Sequence, residues 1–563
     1  MQTTSPSFAI YYAGDAYSTA QKIMGRQSAG KAFMRGVART WPKGEVHGLG
    51  QGTETAKAMY RQLAADGFAG QLKWIEPPNW AALADVGTLY YPSPAAKDFA
   101  YSRNALNPGA FSVMGVTFTL SSTGAMDQVA DLVLPPFKPW DAMICISQAA
   151  LDFTTRMQGE MKAWWSAQTG ATRFNTPQLP VIALGIDCPS FTPEAKLRET
   201  ARTALGLQAN EVAFLFSGRL SFHAKANPAP MYQALEQAAQ HASVVCIEAG
   251  VFPNDAIRAG FMAAQKALAP SVRFIWVDGQ DVQRYKQAWQ GADAFVSLSD
   301  NIQETFGLTP VEAMAAGLPV VVSDWNGYKD TVRDGIDGFR VPTVLPPAGV
   351  GADLAMRHAL GLDTYDFYIG RTSLATVVEP TALAKACTAL ATQPQLRARM
   401  GAAGLARAQS EFDWPVILQR YAQLADELNQ IRLAAGPQAP EPWVQRADPF
   451  ARFGHFPSQT LAGNAVVLAQ PSAQARLADL LSLAMANYAF DATLLPRESL
   501  IALLGVLDKG GSQTVNELLV AAGVATPVGV RCLMWLWKFD LVQVVQVVQA
   551  AQVDQLVPAP PAV

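Results

Sequence analysis

Two carboxylates eight positions apart, Glu304 and Glu312, bracket the run Thr305-Phe306-Gly307-Leu308-Thr309-Pro310-Val311. Thr309 reads as a helix N-cap, Pro310 as the first helical residue and Gly317 as the stop. Glu304 then precedes a short helix, and Glu312 sits in its first turn. The free amides of a helix start suit an anion such as a diphosphate. An ionised carboxylate only accepts hydrogen bonds, which suits the hydroxyls of a sugar. One segment could therefore hold both halves of a nucleotide sugar. The same residues carry a plainer reading. Thr309 and Glu312 have capping-box spacing, in which Glu312 merely satisfies the Thr309 amide, and Glu304 is an exposed loop acid.

The elements around this run set its position. The apolar run 320–322 reads as a buried parallel strand following the helix. Upstream, strands are expected over 8–13, 89–91, 111–120 and 142–147, with a helix over 31–40. A second alternating stretch has strands over 212–217, 243–248, 272–277 and 294–299 and helices over 231–240 and 282–290. The last of these strands leads into the Glu304 loop. Such alternation predicts two open, mainly parallel sheets with helices on both faces, whose ligands lie at the carboxyl ends of the strands.

With 563 residues, half of them hydrophobic and 16% charged, the chain has room for three or four domains with large cores. A net charge of −3 gives no general affinity for nucleic acid or anionic membrane. Cys145, Cys188, Cys246, Cys387 and Cys532 are scattered without a C-x-x-C pair, which argues against zinc or disulfides and fits a reducing cytosol. No run reaches the ~18 apolar residues that span a bilayer. The expected location is cytoplasmic, with peripheral membrane association the only kind left open. A Pro-rich stretch, Gly436-Pro437-Gln438-Ala439-Pro440-Glu441-Pro442, precedes a tail with short helices expected over 498–508, 514–522 and 528–541. Acids outnumber bases in that tail, and its third helix carries only Arg531 and Lys538. A protein partner therefore suits it better than DNA.

With Asp324-Trp325-Asn326-Gly327-Tyr328-Lys329-Asp330 and Gly335-Ile336-Asp337-Gly338-Phe339 downstream, the opening segment resembles the Glu-x7-Glu signature of retaining glycosyltransferases of family 4. Phe306, Gly307, Leu308 and Thr309 match that signature position by position. The resemblance covers about three quarters of the chain. It implies an α/β fold of two Rossmann-like domains facing a cleft (GT-B), to which this chain adds a mainly helical C-terminal domain. It also implies that Glu304 contacts the donor sugar, that Glu312 contacts the ribose, and that Phe306 to Thr309 offer amides to the phosphates. The family further places an Arg and a Lys where Arg219, in Ser217-Gly218-Arg219-Leu220, and Lys225 stand. Their spacing is one residue longer than the commonest form. A departing nucleoside diphosphate develops negative charge, which a bidentate Arg and a compact Lys neutralise in place of a metal. There is no Asp-x-Asp motif, so neither a metal nor a cofactor beyond the donor substrate is expected.

Gly25-Arg26-Gln27-Ser28-Ala29-Gly30-Lys31-Ala32 nearly spells a P-loop, but Ala32 replaces the magnesium-binding hydroxyl. It reads better as the first domain's glycine loop. Gly30 would let backbone approach the diphosphate or acceptor, and a helix from Lys31 would aim its amides there. An ordinary helix entry is the alternative. Phe118 occupies the slot where many relatives carry a His that contacts the donor sugar.

The resulting domains are 1–186 (acceptor), 187–412 (nucleotide-sugar donor) and a helix over 413–432 that crosses back onto the first domain. A Pro-rich linker over 433–475 and a winged-helix-like module over 476–563 follow. Residues of about 346–378 form an insertion, either a surface excursion or a cap over the cleft. The implied activity is metal-independent, retaining transfer of a sugar from a nucleoside diphosphate to a hydroxyl of a carbohydrate, lipid-linked or protein acceptor in glycan or glycoconjugate biosynthesis. A non-catalytic GT-B scaffold that binds nucleotide sugar and protein partners, a tail-led DNA-binding regulator, and a phosphorylase or epimerase on the same fold are the competing readings.

Overall fold

A computed structural model of the chain describes residues 5–17, 25–77, 79–94, 96–489, 494–545 and 548–549. The chain forms two compact units, Met1–Glu441 and Pro442–Val563.

The first unit holds two six-stranded sheets. One is built from β1 (Ala9–Tyr11), β2 (Glu45–Leu49), β3 (Gln71–Ile75), β4 (Thr88–Tyr90), β5 (Ser112–Val116) and β6 (Ala142–Ile144), in the order β3-β2-β1-β4-β5-β6. The other comprises β7 (Glu211–Ser217), β8 (Ser243–Gly250), β9 (Arg273–Asp278), β10 (Ala294–Ser297), β11 (Val320–Ser323) and β12 (Gly338–Val341), ordered β12-β11-β10-β7-β8-β9. Every neighbouring pair in both sheets is parallel. Read from opposite edges, the two orders are the same doubly wound order. All residues of β5, β10 and β11 are buried, because helices cover both faces of a parallel sheet and select continuous apolar runs.

The carboxyl ends of the two sheets face one another. Thr305, in the loop after β10, donates through its hydroxyl to the Phe118 carbonyl beyond β5 at 2.8 Å. Ser147, just past β6, donates to the Thr305 carbonyl at 2.7 Å. These are two Rossmann-like domains across a cleft, the GT-B arrangement.

The helix Trp414–Ala434 lies against the first sheet's domain. The Trp414 indole meets Phe33 edge-on at 5.4 Å, and a Cβ on Gly36 would stand 2.4 Å from that of Trp414. At the junction, the Asp187 and Asp413 carboxylates both accept from Arg39.

The second unit has its own core of Val467, Leu500, Leu503, Leu504, Leu518 and Leu536. An antiparallel sheet of Val466–Ala469, Gln513–Thr514 and Val542–Val544 packs with the helices Arg497–Gly510, Val515–Ala521 and Thr526–Lys538. This corrects the expected 433–475 linker. Glu441 is held on the first unit by hydrogen bonds with Asn104, and strands at 459–460 and 466–469 belong to the second unit's sheets. The proline signal ends at Pro442, and the short apolar run at 466–469 gave too little periodicity to read. Residues 490–493, 546–547 and 550–563 of the expected tail module lie outside the described residues. No single described helix is long and apolar enough to cross a membrane.

Candidate active site

In the second sheet the strand order reverses between β7 and β10, and in open α/β sheets ligands bind beyond the strand ends at such a point. β7 delivers Arg219 there, and the loop after β10 delivers Glu304. Beyond β7 the chain turns through Gly218, whose φ of +147° favours glycine, and Lys225 folds back over it. A Cβ on Gly218 would stand 3.3 Å from Lys225 Cε. Arg219 Nη2 donates to the Ala224 carbonyl at 2.9 Å, which closes the loop. Lys225 Nζ pairs with Glu304 Oε2 at 2.6 Å, each side chain being 18% exposed. An ammonium has three donors, so Lys225 can hold Glu304 and still meet an anion.

The helix that follows is Leu308–Ala315, and its cap is Gly307 at φ +92°. This corrects the expected N-cap at Thr309 and first helical residue at Pro310. Thr309 is the second helical residue and Pro310 the third, while Glu312 lies beyond the first turn. The hydroxyl of Thr309 is buried with no hydrogen-bond partner among the described residues, so there is no capping box. The cause is Gly307, which alone in the run adopts a left-handed turn readily and so starts the helix early. Its amide donates to Glu304 Oε1 at 3.1 Å. A Cβ at Gly307 would meet Tyr328 Cε1 at 2.0 Å, and Tyr328 is itself anchored on Ser297 at 2.9 Å. Pro310 has no N–H, so the helix start offers the amides of Leu308 and Thr309. Phe306 is buried and packs edge-on to Phe412 at 6.4 Å.

Burial acts most strongly and raises the Glu304 carboxyl, but the charge and hydrogen bond of Lys225 and the Phe306 and Thr305 amides together outweigh it and hold Glu304 below its ordinary value. Burial likewise disfavours the Lys225 ammonium, and Glu304 and Tyr328 together more than restore it. Glu312 has no such partner. Burial pushes its carboxyl up to about 7, although the charge of Lys225 draws it down in part. The Tyr285 phenol is pushed up to about 12, first by burial and then by Glu312, and it bonds with the Ser217 hydroxyl at 2.7 Å. Arg219, Lys225, Glu304, Glu312 and the helix start thus come together: two cations, one ionised and one readily protonated carboxyl, and free amides.

Gly30 is not in a loop. The helix starts at Gly25 and runs to Thr40, so Gly30 lies in its interior. The close approach it permits is to its own domain, since a Cβ there would meet the Ala16 carbonyl oxygen at 2.0 Å. The Gln-Ser-Ala-Gly-Lys-Ala sequence contains no residue that stops a helix, so the glycine is absorbed for packing.

Sequence reasoning missed several supports. Asn326 Nδ2 donates to the Glu304 carbonyl at 2.7 Å and Trp325 Nε1 to that of Asn301 at 3.1 Å. The downstream Asp-Trp-Asn-Gly-Tyr run thereby props the Glu304 loop, a role its fixed place in the motif hinted at. The insertion carries the helices Ala352–Ala359 and Tyr365–Leu374. From it, the Tyr365 hydroxyl bonds with Ser121 at 2.8 Å and His358 Nε2 with Thr123 at 3.3 Å, both in the first domain. His223, in the Arg219–Lys225 loop, stands 3.9 Å from Asp366 of the insertion.

Residues 198–347, which contain this cluster, match the family model described as Glycosyl transferases group 1. That stretch is therefore a group 1 glycosyltransferase domain. Among known proteins, the chain is 31% identical over 170 residues to a D-inositol 3-phosphate glycosyltransferase of Xylanimonas cellulosilytica, covering 29% of this chain and 39% of that one. It is 32% identical over 166 residues to the enzyme of that name from a Mycobacterium species, covering 29% and 36%. The matched stretches thus span well under half of these relatives. The structure of Anabaena HepE in complex with UDP aligns over 75% of this chain and 99% of that one, at 17% identity and a TM-score of 0.48.

Proposed function

We propose that the unit Met1–Glu441 is a retaining glycosyltransferase that moves a hexose-type sugar from a nucleoside diphosphate to an acceptor hydroxyl. One observation carries the reading: Arg219, Lys225 and Glu304 meet at the strand-order reversal of the second sheet, beside the helix start at Leu308. Arg219, Lys225 and the Leu308 and Thr309 amides neutralise the diphosphate as it leaves, without a divalent metal. Glu304 orients the sugar and favours its cation-like transition state, and Glu312 accepts from the ribose. The bond from the anomeric carbon to the diphosphate oxygen breaks as the acceptor oxygen bonds on the same face. The acceptor's proton passes to the departing diphosphate. The cleft between the domains excludes water, which would otherwise take the sugar.

On this reading the first Rossmann-like domain holds the acceptor, a carbohydrate, lipid-linked or protein hydroxyl, and the enzyme works in the cytoplasm in glycan or glycoconjugate biosynthesis. The second unit, with its antiparallel sheet and paired helices, is a winged-helix-like module for a protein partner. A non-catalytic scaffold is favoured by one feature, the Phe118 side chain in place of a histidine, and donor turnover separates the two readings.

A panel of nucleoside diphosphate sugars screened by thermal shift identifies the donor. Arg219→Ala and Glu304→Gln are then expected to slow transfer at least ~100-fold, as losing one transition-state donor does elsewhere. A chelator is expected to change little. Full activity in both variants, or strict magnesium dependence, contradicts the proposal.

A further inference from the structure

The loop that carries both cations, residues 219–227, contains neither helix nor strand, yet it must hold Arg219 and Lys225 in place. Its grip comes from the four residues just before Glu304. Asn301 Nδ2 donates to the His223 carbonyl at 2.9 Å, and Gln303 Nε2 donates to the Ala224 carbonyl at 3.0 Å. Arg219 Nη2 donates to that same Ala224 carbonyl. The Asp300 carboxylate accepts from the Asn227 amide at 3.4 Å. Lys225, in the middle of the gripped stretch, pairs with Glu304 itself.

Asn301 is the hub. It is 1% exposed, and a polar amide so buried costs stability unless it is paired. Its Oδ1 accepts from the Gln303 amide at 2.7 Å, and its own carbonyl accepts from Trp325 Nε1. An apolar residue could fill that space. Only an amide can bind the cation loop with one end and the Glu304 loop with the other.

We propose that Asp300, Asn301 and Gln303 are positioning residues for the diphosphate: they touch no donor atom, but fix the loop from which Arg219 and Lys225 act and lock it in register with Glu304. This rests on the glycosyltransferase reading. It deepens that reading by making diphosphate recognition depend on a buried amide clamp that nucleoside recognition does not need.

The test uses the full chain with Asn301→Asp, which is isosteric and keeps the acceptor for the Gln303 amide but loses the donor to His223. Gln303→Leu is the second variant, should the first fail to fold. Binding of UDP, GDP and ADP and of their nucleosides uridine, guanosine and adenosine is measured by ligand-observed NMR, with hydrogen exchange followed over residues 219–227. The expected result is a loss of ten-fold or more in affinity for the diphosphate that binds wild type, little change for its nucleoside, and faster exchange in the loop. Unchanged diphosphate affinity in both variants, or an equal loss for diphosphate and nucleoside, overturns the clamp while leaving the glycosyltransferase reading intact. A wild-type protein that binds no nucleoside diphosphate overturns that reading and the clamp with it.

Discussion

Glu312 separates a functional carboxylate from a structural one, and the substitution that does so is Glu312→Gln. Burial lifts this carboxyl from 4.5 to about 7. At ~1.4 kcal/mol per unit, ionised Glu312 costs the folded state about 3 kcal/mol relative to the unfolded chain. Because the folded value is raised, no cost is felt below about pH 4.5, where both states are protonated. Stability is lost as pH rises toward 7, and the full cost applies at pH 8. Glutamine is neutral throughout, so the variant should gain up to about 3 kcal/mol at pH 8 and almost nothing at pH 4.5. Glu248 and Asp300, also pushed up to about 7 by burial, titrate alike in both proteins and cancel in the comparison. Binding should move the other way. A ribose hydroxyl held by a carboxylate gains about 1 kcal/mol over one held by an amide carbonyl, so donor affinity should fall about five-fold. Urea denaturation at pH 4.5, 6 and 8, with calorimetric titration of the donor diphosphate, measures both. A Gln variant less stable than wild type at pH 8 would refute the reasoning, since that is what a residue kept for structure would show.

Thr309→Val should leave the melting temperature unchanged or raise it, because the hydroxyl is buried and unpartnered; a loss of about 1 kcal/mol would instead mark a helix cap. Tyr365→Phe removes the hydroxyl that bonds with Ser121, and hydrogen exchange over residues 352–374 should quicken by up to about ten-fold, as loss of one net hydrogen bond implies. Exchange identical to wild type would mean that the insertion does not depend on the first domain.

The sheets were legible because parallel strands buried on both faces leave unmistakable apolar runs. Val320-Val321-Val322 reads as such a strand, and it pairs with β10 in register. Arg219, Lys225, Glu304 and Glu312 could be nominated together because motif spacing carries them. The start of the following helix could not be placed correctly. Thr309-Pro310 is a strong local signal, but Gly307 and the ring of Tyr328 decide the matter, and they lie twenty-one residues apart. Gly30 misled for the opposite reason: a local glycine pattern suggested a ligand where the partner is the Ala16 carbonyl. The clamp of Asn301 and Gln303 on the 223–224 backbone left no trace at all, because amides bonding to distant carbonyls have no periodicity.

The same long-range bonds make the insertion more than a surface excursion. Lys225 pairs with Glu304, and the neighbouring Thr305 holds the Phe118 carbonyl. From Thr119 and Ser121 the path crosses to Tyr365 of the insertion, and from Asp366 it returns to His223 beside Lys225. The circuit passes through both domains and closes on the two groups assigned to the donor. Opening the cleft requires breaking, besides the longer His358–Thr123 and Tyr365–Thr119 contacts, the Thr305–Phe118, Ser147–Thr305, Gln148–Asp330 and Tyr365–Ser121 bonds together. At ~0.5–1.5 kcal/mol net each, that is about 2–6 kcal/mol, enough to make the open form a minority and small enough for substrate binding to supply. The Tyr365 link and the return from Asp366 to His223 thus tie the first domain, through the segment 352–374, to the loop that carries Lys225.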